Sequence, residues 1–121
     1  MNDPGLQLRA NWQFEESGPR QHYVVEAWLA GKRAGRAYGW FESGGPFVLE
    51  KIEVDRMHRS RGYGSAVIEQ LRAKAREQEC REFIIKGVRA ENLRAIRLYE
   101  SMGAVAVQTS EHLRSFVIAP P

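Results

Sequence analysis

The segment covering residues 47–88 constrains the fold of this chain more than any other. An apolar, strand-like run at residues 47–54 is followed by the turn Arg-Ser-Arg-Gly-Tyr-Gly at residues 59–64. A helix-like stretch comes next, and a compact apolar run at residues 83–88 follows it. Two strands that are connected through a helix in this way form a parallel pair with a right-handed crossover. The segment therefore predicts a central β-α-β unit.

Three further strand-like segments precede this unit, at residues 6–14, 22–30 and 33–42. They are rich in residues that favour strands, and turn-forming residues separate them. Short turns connect neighbouring antiparallel strands. We therefore expect an antiparallel meander that leads into the strand at residues 47–54.

The spacing of apolar residues predicts two main helices. In residues 65–79 one apolar face repeats at helical spacing, formed by Val67, Ile68, Leu71 and Ala75. Asn92 can cap a second helix that Gly103 would end. Residues 105–107 and 113–118 are predicted as closing strands. The predicted fold class is α+β, with a mixed and mostly antiparallel sheet of about six or seven strands.

The composition is that of an ordinary globular protein, and we expect a single domain over residues 1–121. Hydrophobic residues make up 43% and charged residues 27% of the chain. The net charge of +3 would suit an anionic cofactor or a nucleic acid and decides neither. Cys80 is the only cysteine, which fits a reducing compartment, so we expect a cytoplasmic location. No apolar run approaches ~18 residues, so no membrane span is expected.

The glycine turn is suited to binding an anion. Gly62 and Gly64 would let a ligand approach the backbone, and the start of the helix adds positive potential. Arg59 and Arg61 add charge, and Ser65 could donate a hydroxyl group. The turn has neither the Gly-Lys-Ser/Thr ending of a Walker loop nor the full Gly-x-Gly-x-x-Gly of a Rossmann turn. By itself it is equally consistent with a plain glycine turn between solvated arginines.

A second motif, about thirty residues later, gives the turn a specific interpretation. Residues 92–103 match the pattern N-x-x-A-x-x-L-Y-x-x-x-G. Together with R-x-x-G-x-G at residues 59–64, this resembles the GNAT superfamily of acyl-CoA N-acyltransferases. The resemblance covers residues 47–107 well and the earlier strands loosely. It implies an N-acetyltransferase with acetyl-CoA as cosubstrate and a small-molecule or peptide amine as acceptor.

The resemblance also implies which residues hold coenzyme A. The pyrophosphate would lie on Arg59, Ser60, Arg61, Gly62, Tyr63, Gly64 and Ser65. The pantetheine arm would pair with the strand at Ile52 and Val54 like an added strand, and an amide near Val54 would polarise the thioester carbonyl. Asn92 would form a hydrogen bond near the pantetheine.

Tyr99 and Glu50 are the predicted catalytic residues. The resemblance places Tyr99 near the sulfur, where a phenol with a pKa of about 10 can protonate a leaving thiolate. Glu50 matches the position at which polyamine-acetylating members relay the amine proton, with Glu53 or a water chain as alternatives. Strand alternation would put Glu50 on one face with Ile52 and Val54, and a β-bulge, common in the family, would break that alternation.

The N-terminal half departs from the family pattern. Family members usually insert two helices between the first two strands, and here only about residues 15–21 separate them. The acceptor site would then be open, which suits a large acceptor, or a second subunit would complete it in a homodimer. Glu42, Glu50 and Glu53 weakly favour a cationic amine as the acceptor.

Other functions stay open from the sequence. The reduced acceptor wall would also fit a non-catalytic acyl-CoA-binding or regulatory module. A small basic nucleic-acid binder is a further alternative, but the sheet shows no clear basic and aromatic pattern, so no nucleic-acid partner is expected. The three histidines, His22, His58 and His112, are isolated in the sequence, so no metal site is predicted.

Overall fold

The computed structural model describes residues 6–11, 18–29, 31–54 and 62–121. This part of the chain forms seven strands and two helices. In chain order they are β1 (Leu6–Asn11), β2 (Gln21–Leu29), β3 (Lys32–Phe41), β4 (Pro46–Val54), α1 (Tyr63–Glu77), β5 (Glu82–Arg89), α2 (Leu93–Ser101), β6 (Val105–Gln108) and β7 (Leu113–Ile118). The end of the first predicted strand, residues 12–14, lies outside the described residues. The predicted α+β class is confirmed.

All seven strands belong to one mixed sheet with the order β1-β2-β3-β4-β5-β7-β6. Strands β1 to β4 form the expected antiparallel meander. Strands β4 and β5, which flank α1 in the chain, are parallel, as the β-α-β prediction requires. Strand β7 lies between β5 and β6 and is antiparallel to both.

Both helices contribute to the core on one face of the sheet. The predicted apolar face of α1 is buried, because Val67, Ile68, Leu71 and Ala75 are each at most 2% exposed. The sheet contributes aromatic rings to this core: Phe47 stacks between Phe41 and Phe83, at centroid distances of 5.2 and 5.4 Å. Tyr99 of α2 joins the same apolar cluster. Burial of this surface supplies most of the driving force for folding.

The opposite face of the sheet is more exposed. Tyr38 is 37% exposed there, and Val105 and Val107 at the β6 edge are 68% and 48% exposed. Both described helices pack on the other face. Among the described residues, neither helix has the length and apolar composition needed to span a membrane.

Helix α1 begins at Tyr63, two residues before the predicted start. Gly62 precedes it in the left-handed conformation, with φ of 80°, which glycine adopts without steric cost. The second helix begins as predicted, since Asn92 Oδ1 accepts a hydrogen bond from the Ala95 amide at 3.2 Å. Local sequence signals therefore locate both helices to within two residues.

Candidate active site

The parallel strands β4 and β5 pair over only four residues and then separate. Their last paired residues are Leu49 and Ile85. Immediately beyond this pair, Lys86 and Gly87 interrupt the register of β5 with β7, and Gly87 has φ of 72°. A bulge bends a strand and increases its local twist. A gap therefore opens inside the sheet at this point.

Strand β4 carries a bulge at the corresponding position. The consecutive residues Tyr38 and Gly39 of β3 pair with Lys51 and Leu49, so Glu50 is the extra residue of β4. A single extra residue reverses the alternation of side chains between the two faces. The bulge therefore decides which face Glu50 occupies.

The carboxylate of Glu50 lies on the more exposed face. Its Oε1 accepts a hydrogen bond from Trp40 Nε1 at 3.1 Å, and Trp40 alternates with buried Phe41 along β3. Ile52 lies opposite buried Ala37 and packs on the helix-covered face. The expectation from simple alternation, that Glu50 shares a face with Ile52, is therefore wrong, and the bulge is the physical reason.

Two residues from neighbouring strands accommodate this bulge. The hydroxyl of Tyr23, which is 1% exposed, donates a hydrogen bond to the Val48 carbonyl oxygen at 2.8 Å. A Cβ atom at Gly39 would overlap that same carbonyl oxygen. Burial, and secondarily the charge of Glu50, raises the pKa of Tyr23 well above its usual value, so the hydroxyl stays protonated as a donor.

A cleft of about 800 Å³ runs along the helix-covered side, from the start of α1 to α2. It brings together most of the predicted coenzyme A residues that are described: Ile52, Val54, Gly62, Gly64, Ser65 and Asn92, together with Tyr99. The side chain of Tyr63 is instead buried in the core. Arg59, Ser60 and Arg61 lie outside the described residues.

The α1 end of this cleft is suited to an anion. Helix α1 has no acidic residue in its first turn. Its first backbone hydrogen bond runs from the Ala66 amide to the Gly62 carbonyl at 3.0 Å. The amides of Gly64 and Ser65 precede that bond, at the positive end of the helix dipole. Arg94 of α2 also lines the cleft and adds positive charge.

A second, narrower cleft of about 210 Å³ occupies the gap between β4 and β5. Glu50 and Lys86 line it from the two strands, and Tyr99, Asn92 and Ile52 line both clefts. Because Glu50 faces the exposed side and Tyr99 the helix-covered side, the two clefts meet inside the sheet. Two reactants could therefore reach Tyr99 from opposite faces.

Tyr99 has the environment of a proton donor. It is 6% exposed, its ring lies 5.6 Å from that of Phe116, and burial raises the pKa of its hydroxyl. The phenol therefore keeps its proton at neutral pH and can donate it to a developing anion. The Asn92 oxygen is occupied by its helix cap, so its amide nitrogen is the group that can donate to a ligand.

Comparison with known proteins identifies the family. Residues 2–104 match the model of the acetyltransferase (GNAT) family. The chain belongs to the GNAT family of acetyltransferases. None of the curated proteins compared with it matches in sequence.

Solved GNAT structures share the fold. A GNAT acetyltransferase of Elizabethkingia anophelis with bound acetyl-CoA superposes with a TM-score of 0.76 at 9% identity, over 97% of this chain and 99% of that one. Naa50 of Arabidopsis thaliana with the bisubstrate analogue CoA-Ac-MVNAL gives 0.70 at 16%, over 79% and 72%. The ribosomal-protein-S18-alanine N-acetyltransferase of Escherichia coli gives 0.67 at 24%, over 79% and 66%. At sequence identities this low, the superpositions show similarity of fold alone.

The structure changes the interpretation of the acidic residues of this GNAT protein. Glu53 is bound to Lys51 at 3.0 Å, and the hydrogen bond and charge of that lysine lower the pKa of its carboxyl group. Glu42 forms an ion pair with Arg20 at 3.6 Å. Of the three predicted acidic residues, Glu50 is therefore the one whose carboxylate lines the narrow cleft without a cationic partner among the described residues.

Sequence reasoning assigned no role to several residues around the clefts of this GNAT protein. Lys86 interrupts the apolar run of β5, which is the only signal that could have marked it. Trp40 is one of three aromatic residues near the end of its strand, a composition typical of a sheet core, and its Nε1 instead donates a hydrogen bond to Glu50. Tyr23 supports the bulge from two strands away, and no local pattern could have indicated that contact.

Proposed function

We propose that residues 1–121 act as one acetyltransferase domain that transfers an acetyl group from acetyl-CoA to an amine within a ternary complex. The observation that carries the proposal is the meeting of the two clefts at Tyr99. The wide cleft ends at the start of α1, where the backbone amides are suited to an anion, and the narrow cleft leads to the exposed face of the sheet. Cosubstrate and acceptor would then occupy separate clefts with their reacting atoms close together.

Coenzyme A would lie in the wide cleft. The amides at the start of α1 would bind the pyrophosphate, assisted by Arg59, Ser60 and Arg61 of the preceding turn. The pantetheine arm would follow β4 at Ile52 and Val54, where β4 no longer pairs with β5. Asn92, exposed at the α2 cap, would donate a hydrogen bond to the arm.

Transfer would proceed by direct attack of the amine. The amine nitrogen forms a bond with the thioester carbonyl carbon, the carbon–sulfur bond breaks, and the sulfur leaves as a thiolate. Tyr99 donates its proton to that thiolate, which the raised pKa supports because the phenol is protonated before the reaction. A backbone amide of β4 near Val54 would stabilise the negative charge on the carbonyl oxygen.

Glu50 would accept the proton that the amine loses, directly or through water. Its carboxylate lies at the narrow cleft and is oriented by Trp40. Glu53 is a weaker candidate, because Lys51 and Arg36 engage its carboxylate at 3.0 and 3.5 Å. The structural neighbours that act on a peptide or protein amine favour an acceptor of that kind.

Binding of acetyl-CoA is tested by thermal unfolding. Acetyl-CoA at 100 times its Kd should stabilise the protein by about 2.7 kcal/mol. Gly64→Val should abolish this shift by projecting a side chain into the cleft, since a Cβ at position 64 lies 3.8 Å from Val54 and fits the protein itself. Gly62 is the poorer site to test, because its positive φ would strain any replacement. Ala73→Val, at an exposed position of the same helix, controls for a β-branched residue in α1.

Catalysis is tested with Tyr99→Phe. If Tyr99 is the general acid, kcat should fall by about 10²-fold or more while the Kd of acetyl-CoA is unchanged. An unchanged kcat would mean that Tyr99 packs in the core and is not the general acid. Binding of acetyl-CoA by the wild-type protein without transfer to any amine of a broad panel would favour the non-catalytic acyl-CoA-binding module.

A further inference from the structure

The narrow cleft presents one carboxylate and one ammonium group at its mouth, on opposite walls. Glu50 and Lys86 are the first residues beyond the last paired positions of β4 and β5, and both side chains are exposed. Residues at corresponding positions of two neighbouring parallel strands lie side by side. The two opposite charges therefore stand on either side of the point where the strands separate.

The indole ring of Trp40 lies close to both groups. Trp40 Nε1 donates to Glu50 Oε1 at 3.1 Å, and Lys86 Nζ lies 5.9 Å from the centre of the Trp40 ring. The Arg20 guanidinium stacks on the same ring at 3.8 Å, which restrains the indole plane. Trp40 therefore lies near both the carboxylate and the ammonium group.

The other cations of this cleft are compensated. Lys51 forms an ion pair with Glu53 at 3.0 Å, and Arg89 forms one with Glu91 at 3.7 Å. Within the described ranges, neither Glu50 nor Lys86 takes part in an ion pair. One unpaired charge of each sign therefore remains at the mouth of the cleft.

We propose that the acceptor is an amine that carries an anionic group a few bonds from its nitrogen, as an α-amino acid or an acidic peptide N-terminus does. Its ammonium group would approach Glu50, which takes one proton before attack, and its anionic group would bind Lys86. The second proton, which the nitrogen loses after attack, would replace the one that Tyr99 gives to the thiolate. The cleft, at about 210 Å³, is smaller than a typical ligand pocket and would hold only the amine-bearing end of an acceptor. This inference rests on the proposed function, and it differs from the cationic acceptor that the acidic residues favour in the sequence.

The experiment compares acceptors that differ only in the anionic group. Wild-type protein is assayed with alanine and alaninamide, with Asp-Ala-Ala-amide and Asn-Ala-Ala-amide, and with 1,4-diaminobutane, while acetyl-CoA binding is measured separately. The anionic member of a pair should have a kcat/KM about tenfold higher or more, as expected for one charge-assisted contact. Alaninamide has the less basic amine and supplies more neutral nucleophile, so a preference for alanine would run against intrinsic reactivity. A preference found only with alanine over alaninamide would indicate a free amino acid as acceptor. A preference found only with the Asp peptide over the Asn peptide would indicate an acidic peptide N-terminus.

Variants of Lys86 test whether this residue causes the selectivity. Lys86→Gln should reduce the tenfold preference to near unity, chiefly through KM of the anionic acceptor, and leave the Kd of acetyl-CoA unchanged. Lys86→Arg should keep the preference. Lys74→Gln, which removes a lysine paired with Glu77 on the far part of α1, should behave as wild type.

Three results would overturn the inference while leaving the proposed function in place. They are equal rates for both members of each pair, a preference for 1,4-diaminobutane, and an unchanged preference in Lys86→Gln. Acetyl-CoA binding without transfer to any of these acceptors would also overturn it. Failure of the wild-type protein to bind acetyl-CoA would instead refute the proposed function itself, and the inference with it.

Discussion

Replacing Tyr23 by phenylalanine tests whether the bulge that positions Glu50 depends on a hydroxyl group two strands away. The substitution removes one oxygen from a side chain that is 1% exposed and leaves its ring in place against Phe47, 5.0 Å away. What is lost is the donor to the Val48 carbonyl, at 2.8 Å. The packing of the ring is otherwise kept, so the hydrogen bond is the main quantity that changes.

The expected magnitude follows from the burial of the acceptor. Val48 is 1% exposed, so its carbonyl cannot easily turn to water when the donor is lost. An unsatisfied buried acceptor costs about 1–3 kcal/mol. For a chain of this size, each kcal/mol lowers Tm by about 4 °C, so Tyr23→Phe should lower Tm by about 4–12 °C.

Urea unfolding and thermal scans measure this cost, and Tyr38→Phe provides the matched control. Tyr38 lies on the next strand with a half-exposed ring on the opposite face, so loss of its hydroxyl should change stability by less than about 0.5 kcal/mol. If Tyr23→Phe is as stable as Tyr38→Phe, the Val48 carbonyl does not need the Tyr23 hydroxyl and the reasoning is refuted. If transfer activity is present, Tyr23→Phe should lower kcat more than it weakens acetyl-CoA binding, because the bulge carries Glu50.

Three further predictions concern stability. Burial raises the pKa of both Tyr23 and Tyr99, so the folded chain retains protons that the unfolded chain releases at alkaline pH. The free energy of unfolding should therefore be constant below pH ~10 and fall above it. In urea titrations at alkaline pH, this fall should be less steep for Tyr99→Phe than for the wild type. Gly39→Ala should destabilise the chain by at least about 2 kcal/mol in urea unfolding, since the new methyl group would overlap the Val48 carbonyl, and a wild-type midpoint would contradict the register described for β3 and β4. Glu79 has φ of 58° after α1, so Glu79→Gly should raise stability by up to about 1 kcal/mol, and a lower Tm would count against strain at this position.

The helices, the N-terminal meander and the parallel β4-β5 pair could be predicted from the sequence because their signals are local, whereas the position of β7 between β5 and β6 was not predicted. The face of α1 follows from apolar residues three and four positions apart, and the start of α2 follows from one capping side chain, Asn92. The meander follows from short turns between strand-like segments. These features depend on residues within one or two turns of each other, so no knowledge of distant contacts is needed.

The site was predictable only in part. The motif residues Gly64, Asn92 and Tyr99 were named from the sequence, and the structure places them along one cleft. The face occupied by Glu50 depended instead on a bulge, and simple alternation gave the wrong side. A bulge is a relation between two strands, and one strand's pattern does not reveal it.

The sequence by itself determined which elements form, where the glycine turn lies and which family the motifs resemble. The tertiary structure decided where β4 and β5 separate, which face Glu50 occupies, and that Lys86 stands opposite it. The physical reason is the range of the interactions involved. Helical periodicity and caps act over a few residues, whereas the bulge at Glu50 needs space at Gly39 and a hydrogen bond from Tyr23, 25 residues before Val48.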